Sequence, residues 1–162
     1  MPTPFCLPRE DEKFLDELER ATFLYFVEHT NPCNGLVRDR NRPEAPASIA
    51  ATGFGLTVWA IAADRRWVSL DDALKVILAA LRFFAQEAEQ VHGFFYHFLD
   101  FHTGERYQTR WRSEISSVDT AWLLSGVLVV RQAFPEHPQI RRFATQIEER
   151  IDWNWMRDGE FT

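Results

Sequence analysis

Two stretches of this chain read as helices yet carry almost no charge, and that pair constrains the fold more than any other feature. Residues 49–63 (IAATGFGLTVWAIAA) have no charged side chain anywhere around a helical circumference, and residues 118–130 have only Asp119. A helix that is apolar all round has to be covered all round, so both belong inside. Three other segments show the opposite pattern. Residues 11–29 set Glu12, Lys13, Asp16, Glu19 and Arg20 against Phe14, Leu15, Leu18, Tyr25 and Phe26. Residues 70–91 set Asp71, Lys75, Arg82, Gln86 and Glu89 against Leu70, Ala73, Leu74, Ile77, Leu78, Leu81 and Phe84, and residues 139–151 are charged on one face through Arg141, Arg142, Glu148 and Glu149. These are amphipathic surface helices.

The chain order is therefore outer, inner, outer, inner, outer. The connections alternate as well: residues 30–47 (TNPCNGLVRDRNRPEAPA) and 93–115 are long and turn-rich, whereas 64–68 and 134–138 are short. Both long connections lead into the N-termini of the apolar helices, so in an antiparallel array they gather at one end and the short links at the other. This predicts an all-α chain with the logic of an α/α toroid, about five helices alternating outer and inner. A small β-hairpin, residues 93–99 with 106–109 around the turn DFHTGE, is expected in the second long connection. An open solenoid is the competing architecture, but the segments lack self-similarity at a fixed period. Five helices fall short of a closed ring. Residues 1–162 are thus expected to be a single partial domain, with the closing DGEFT reading as an interrupted chain and uncovered inner-helix surface favouring self-association.

The helix starts are marked by serines. Ser116 and Ser69 each precede an aspartate by three residues, Asp119 and Asp72, in capping-box spacing, and Ser48 offers a simple N-cap. Gly53 and Gly55 cost roughly 1 kcal/mol each against alanine in a helix, which predicts close approach of a neighbouring helix.

Hydrophobic residues make up 46% of the 162, which excludes disorder, and the net charge of -6 with interspersed signs argues against a nucleic-acid partner. No apolar run reaches bilayer-spanning length, so no membrane partner is expected. The opening MPTPFCLPRE lacks the basic start and apolar core of a secretion signal, and as written the chain is expected in the cytoplasm. Cys6 and Cys33 have no zinc-like spacing and read as free thiols; no metal site and no cofactor is indicated.

The loop-rich end gathers the chemistry. Glu114 lies just before the helix start at Ser116 and Asp119 just inside it, where the helix dipole favours anions. The same end collects Arg38, Asp39, Arg40, His97, Asp100, Arg106, Trp111 and Arg112, with Phe94, Phe95, Tyr96 and Phe98 nearby. Carboxylates beside flat aromatic rings suit a carbohydrate, whereas a phosphate ligand would want a Gly-rich cradle that this chain does not have. Glycoside hydrolysis needs two carboxyl groups flanking the bond. Glu114 is the best proton donor and Asp119 or Asp39 the partner for positioning or base duty, with Arg38, Arg40, His97, Asp100, Trp111 and Arg112 as substrate-binding candidates. Each has a plainer reading: Asp119 as a cap, Glu114 as a solvated acid offsetting Arg110 and Arg112, the aromatics as hairpin packing, and His97 and His102 as hairpin residues. No nucleophile elbow or Cys–His arrangement competes.

Several ordered motifs carry a family resemblance: GLVRDR from Gly35, ASIAATGFGL from Ala47, GFFYHFLD from Gly93, SEISSVDT from Ser113 and WNWM from Trp153. In these the chain resembles the bacterial glucoamylase-like glycoside hydrolases, which include endo-β-1,2-glucanases and have a related domain in cyclic β-glucan synthases. The resemblance implies an (α/α)6 toroid of which this chain is the N-terminal part, hydrolysis of the inverting type and a glucan-binding cleft at the loop end. Asp39, Glu114 and Asp119 match the acidic members of that cleft, with the proton donor unassigned. Members of the family are usually exported. Two other functions fit the same residues: a non-catalytic helical module binding carbohydrate or protein, and a domain of a glucan-synthesising enzyme.

Overall fold

A computed structural model describes residues 7–157. Five helices dominate it: α1 (Arg9–His29), α2 (Ile49–Asp64), α3 (Leu70–Gln86), α4 (Ser117–Ala133) and α5 (Pro138–Arg150). Four two-residue strands lie in the long connections: β1 (Ala47–Ser48), β2 (Gln90–Val91), β3 (Phe94–Phe95) and β4 (Phe98–Leu99).

The serine caps form as their spacing predicts. Ser48, Ser69 and Ser116 accept backbone N–H groups from Ala51, Asp72 and Asp119 and open α2, α3 and α4. The reciprocal half of each box differs from the usual form. Asp72 and Asp119 accept from the hydroxyl of the capping serine, not from its backbone N–H. For Ser116 the reason is clear, since its N–H is already donated to the Phe95 carbonyl.

The uncharged helices α2 and α4 pack directly on each other. A Cβ at Gly53 would lie 2.3 Å from the Trp122 carbonyl oxygen, and one at Gly126 would lie 2.0 Å from the Gly53 oxygen, so the two backbones meet where only glycine fits. Their C-terminal ends approach again around Ala60–Asp64 and Ala133–Phe134, which makes the pair parallel. Helices α3 and α5 flank them as the outer layer, and the Arg150 and Gln146 side chains at the end of α5 donate to the Ala85 carbonyl at the end of α3. All the long connections consequently lie at one end and the short links at the other. The core runs through Ile49, Leu56, Ile77, Leu81, Phe84, Leu123, Val127, Ile140 and Ile147.

Two expectations need correction. Helix α3 stops at Gln86 instead of running to Val91, because Gln90 and Val91 turn to pair with Phe95 and Phe94. The hairpin of residues 93–99 with 106–109 is reduced to a single bridge between Leu99 and Arg106; β4 pairs with β1 from the other long connection. The inner helices carry the uncovered apolar surface expected of them, with Val118, Trp122, Phe54 and Ile61 exposed. Phe54 and Trp122 touch at 5.1 Å, joining the two helices' exposed rows into one surface. On α1 the N-terminal apolar residues Phe14 and Leu18 are exposed as well, and the helix is held by Phe23 packing on Trp59 and by Arg65 reaching Asp16 and Glu19.

Candidate active site

The two long connections are stitched into one platform. Arg38 bridges Ala47, β1 pairs with β4, and Leu99 bridges Arg106, giving a four-segment antiparallel ladder drawn from both connections. A second seam runs beside it, where the His97 N–H donates to the Glu114 carbonyl and Tyr96 bridges Ile115. The ladder places Asp39 and Asp100 each one residue beyond a paired position, and the seam fixes the backbone of Glu114 against His97.

The three candidate carboxylates sit in different surroundings. Asp39 is partly buried and accepts from Nε (2.7 Å) and Nη2 of Arg40. Asp119 is half-buried within its own helix cap. Glu114 is exposed, and its carboxylate has no hydrogen bond or ion pair among the described residues. The segment carrying Asp39 is anchored from below, where the Tyr25 hydroxyl donates to the Arg38 carbonyl at 2.7 Å. Burial first, and the neighbouring Asp39 charge second, raise the Tyr25 phenol above its ordinary value, so it keeps the proton it donates.

Of the substrate-binding candidates, the structure separates those tied up in the platform from those left open. Arg38 donates to the Ala45 carbonyl and lies 3.6 Å over the Phe101 ring. Asp100 organises its turn by accepting from the backbone N–H groups of His102 (2.9 Å) and Thr103 (2.8 Å). Burial alone would raise the Asp100 carboxyl, but these donors outweigh it and hold the group below its ordinary value. Arg106 does the same structural work as Arg38, donating to the Ser113 carbonyl at 2.6 Å and covering Tyr96. The His97 ring lies tilted against Phe98, with ring centres 4.3 Å apart. Trp111 and Arg112 are exposed, with Trp111 resting on Tyr107 (4.9 Å) and Phe98 (5.7 Å).

Phe94, Phe95 and Tyr96 are buried and belong to the packing, as their plainer reading holds; among the candidate aromatics the open surface is that of Trp111. Sequence reasoning missed Tyr107, Arg42 and Arg110 as neighbours of Trp111 and Arg40 around one groove. Their signal was visible in the run of arginines on either side of each connection. Cys33 is a free, exposed thiol, while Cys6 and the DGEFT segment from Asp158 onward lie outside the described residues. Among the described residues no group of three His, Cys, Asp or Glu side chains could hold a metal, and no helix is long and apolar enough to cross a membrane.

No family model matches the chain. Among solved structures it aligns with a candidate glucoamylase from Bacteroides uniformis at a TM-score of 0.81 and 23% identity, covering 96% of this chain and 39% of that one. The fold is that of part of a glucoamylase-like protein. An endo-β-1,2-glucanase from Chitinophaga pinensis, solved with sophorotriose and glucose, aligns at a TM-score of 0.79 and 24% identity, over 96% of this chain and 40% of that one. A sequence relative is an exo-β-1,2-glucooligosaccharide sophorohydrolase (non-reducing end) of Parabacteroides distasonis, 28% identical over 158 residues. Those residues are 93% of this chain and 22% of that protein. The chain thus spans well under half the length of the glucoamylase-like proteins it matches.

Proposed function

We propose that residues 1–162 form the N-terminal part of a glycoside hydrolase domain that cleaves β-glucan, β-1,2-linked glucan in the first instance. The observation that carries this reading is the free carboxylate of Glu114, held by backbone pairing at the loop end where Asp39, Asp119 and the exposed Trp111 also emerge. Asp39 is engaged by Arg40 and Asp119 by its cap, which leaves Glu114 as the carboxyl group best able to reach a glycosidic oxygen and protonate it. Asp119 or Asp39 then serves to orient or deprotonate the attacking water. The similarity to a β-1,2-glucooligosaccharide hydrolase supports the substrate class.

The test is release of reducing ends from β-1,2-glucan by the gene product containing this chain. Glu114→Gln should lower the rate by about 10²-fold or more, the range of a lost general acid. Unchanged turnover in that variant would remove Glu114 from the mechanism. An absence of cleavage across a panel of glucans by the unmutated protein would sink the hydrolytic reading. A non-catalytic glucan-binding role is favoured by one observation, that two of the three acids already have intramolecular partners. It predicts retained glucan binding with no cleavage.

A further inference from the structure

On the far side of the arginine that holds Asp39 lies a groove that hydrolysis of a neutral glucan does not require. It is lined by Arg40, Arg42 and Arg110, by Ala45, Pro46, Tyr107 and Trp111, and by Glu44. Arg40 belongs to both sites, since the same guanidinium holds Asp39. The side chains of Arg42 and Arg110 have no ion pair or hydrogen bond among the described residues. Three guanidinium groups against two carboxylates, Glu44 and the Asp39 that Arg40 holds, leave a local positive balance on a chain whose net charge is -6. The two segments that converge here, 38–42 and 106–112, hold six arginines and no lysine. That choice matters chemically, because the planar guanidinium fork pairs with a carboxylate through two parallel hydrogen bonds while an ammonium acts only as a point charge.

We infer that this groove receives an anionic substituent carried on the glucan, with the sugar ring lying on the Trp111 and Tyr107 surface and the acid group meeting Arg42 and Arg110. The inference rests on the glucan reading above and deepens it: the preferred substrate is an acid-bearing glucan over the neutral polymer. Arg40 both lines the groove and holds Asp39, so an acid group anchored there would bear directly on how the sugar lies beside Asp39.

The experiment compares binding of sophorotriose with sophorotriose whose C6 hydroxyls have been oxidised to carboxylates, a probe that offers an acid on each ring and so does not depend on register. Calorimetric titration of the protein should show the acidic sugar binding at least about tenfold more tightly at low salt. The advantage should shrink toward parity in 0.5 M salt, as expected for exposed ion pairs. It should also disappear in the Arg42→Ala/Arg110→Ala double variant and be only partly restored by Arg42→Lys/Arg110→Lys. A circular-dichroism melt matching the parent protein would show that the variants are folded. Equal binding of the two sugars by the parent protein would overturn the inference and leave the glucan reading standing. Binding of neither would overturn both. Free gluconate binding as tightly as the oxidised trisaccharide would reduce the groove to a simple anion site and overturn the link to glucan.

Discussion

Asp100, a candidate ligand contact, also builds the platform on which the other candidates stand. Its carboxylate collects two backbone donors in the turn that follows β4, and they hold it below its ordinary value of 3.8 against the opposing effect of burial. Because the folded value is the lower one, the stability this group adds is complete above about pH 4 and is lost as the pH falls through the folded value. Asp100→Asn should therefore lower the melting temperature most near neutrality, with the gap to the parent closing toward pH 3 in a series of thermal melts. A gap that stays constant with pH would mean that the charge is not what the turn uses. Glu114 is the opposite case, an acid with no structural duty among the described residues. Sequence placed both residues at the loop end but could not tell them apart, since the difference lies in which backbone groups happen to face each carboxylate.

At the scale of helices, what was legible followed from charge and spacing. Absence of charge identified α2 and α4 as the inner pair, the serine–aspartate spacing marked where α3 and α4 begin, and the two glycines of α2 foretold a close neighbour. Gly126 completes that contact from the other side. Placing alanine there would put a Cβ 2.0 Å from a backbone oxygen that has no rotamer to escape into. Gly126→Ala should destabilise by about 1–3 kcal/mol, as overpacking does. In a chain of this size each kcal/mol lowers the melting temperature by roughly 2–4 °C in calorimetry. Strand pairing was the illegible part. The aromatic run GFFYHFL suits a hairpin locally, yet β4 takes its partner from a connection some fifty residues earlier, and nothing in local propensity encodes a partner at that distance. The end of α3 was missed for the same reason, since Gln90 and Val91 leave the helical pattern only because Phe94 and Phe95 are there to pair with.

Across the whole molecule, α2 and α4 present a joined apolar face, with Val118 66% and Trp122 49% exposed. Patches of this kind on a soluble domain mark contact surfaces. Self-association through this face is the expected behaviour of the isolated 162-residue chain, seen as a mass by light scattering that grows with concentration. Trp122→Glu should return the mass toward 19.0 kDa by placing a charge at the junction where Phe54 and Trp122 meet. A parent chain that stays monomeric at high concentration would contradict this.

The ladder that joins the two long connections also bears on the order of folding. Helix pairs such as α2 and α3 close over short links, whereas β1 and β4 must bring together residues that a full helical hairpin separates. Loop-closure entropy makes such pairings late and costly. The β1–β4 pairing is therefore expected to form after the helix pairs have closed. Loss of this pairing under mild stress, with the helices and their circular dichroism largely intact, would be the sign of that order.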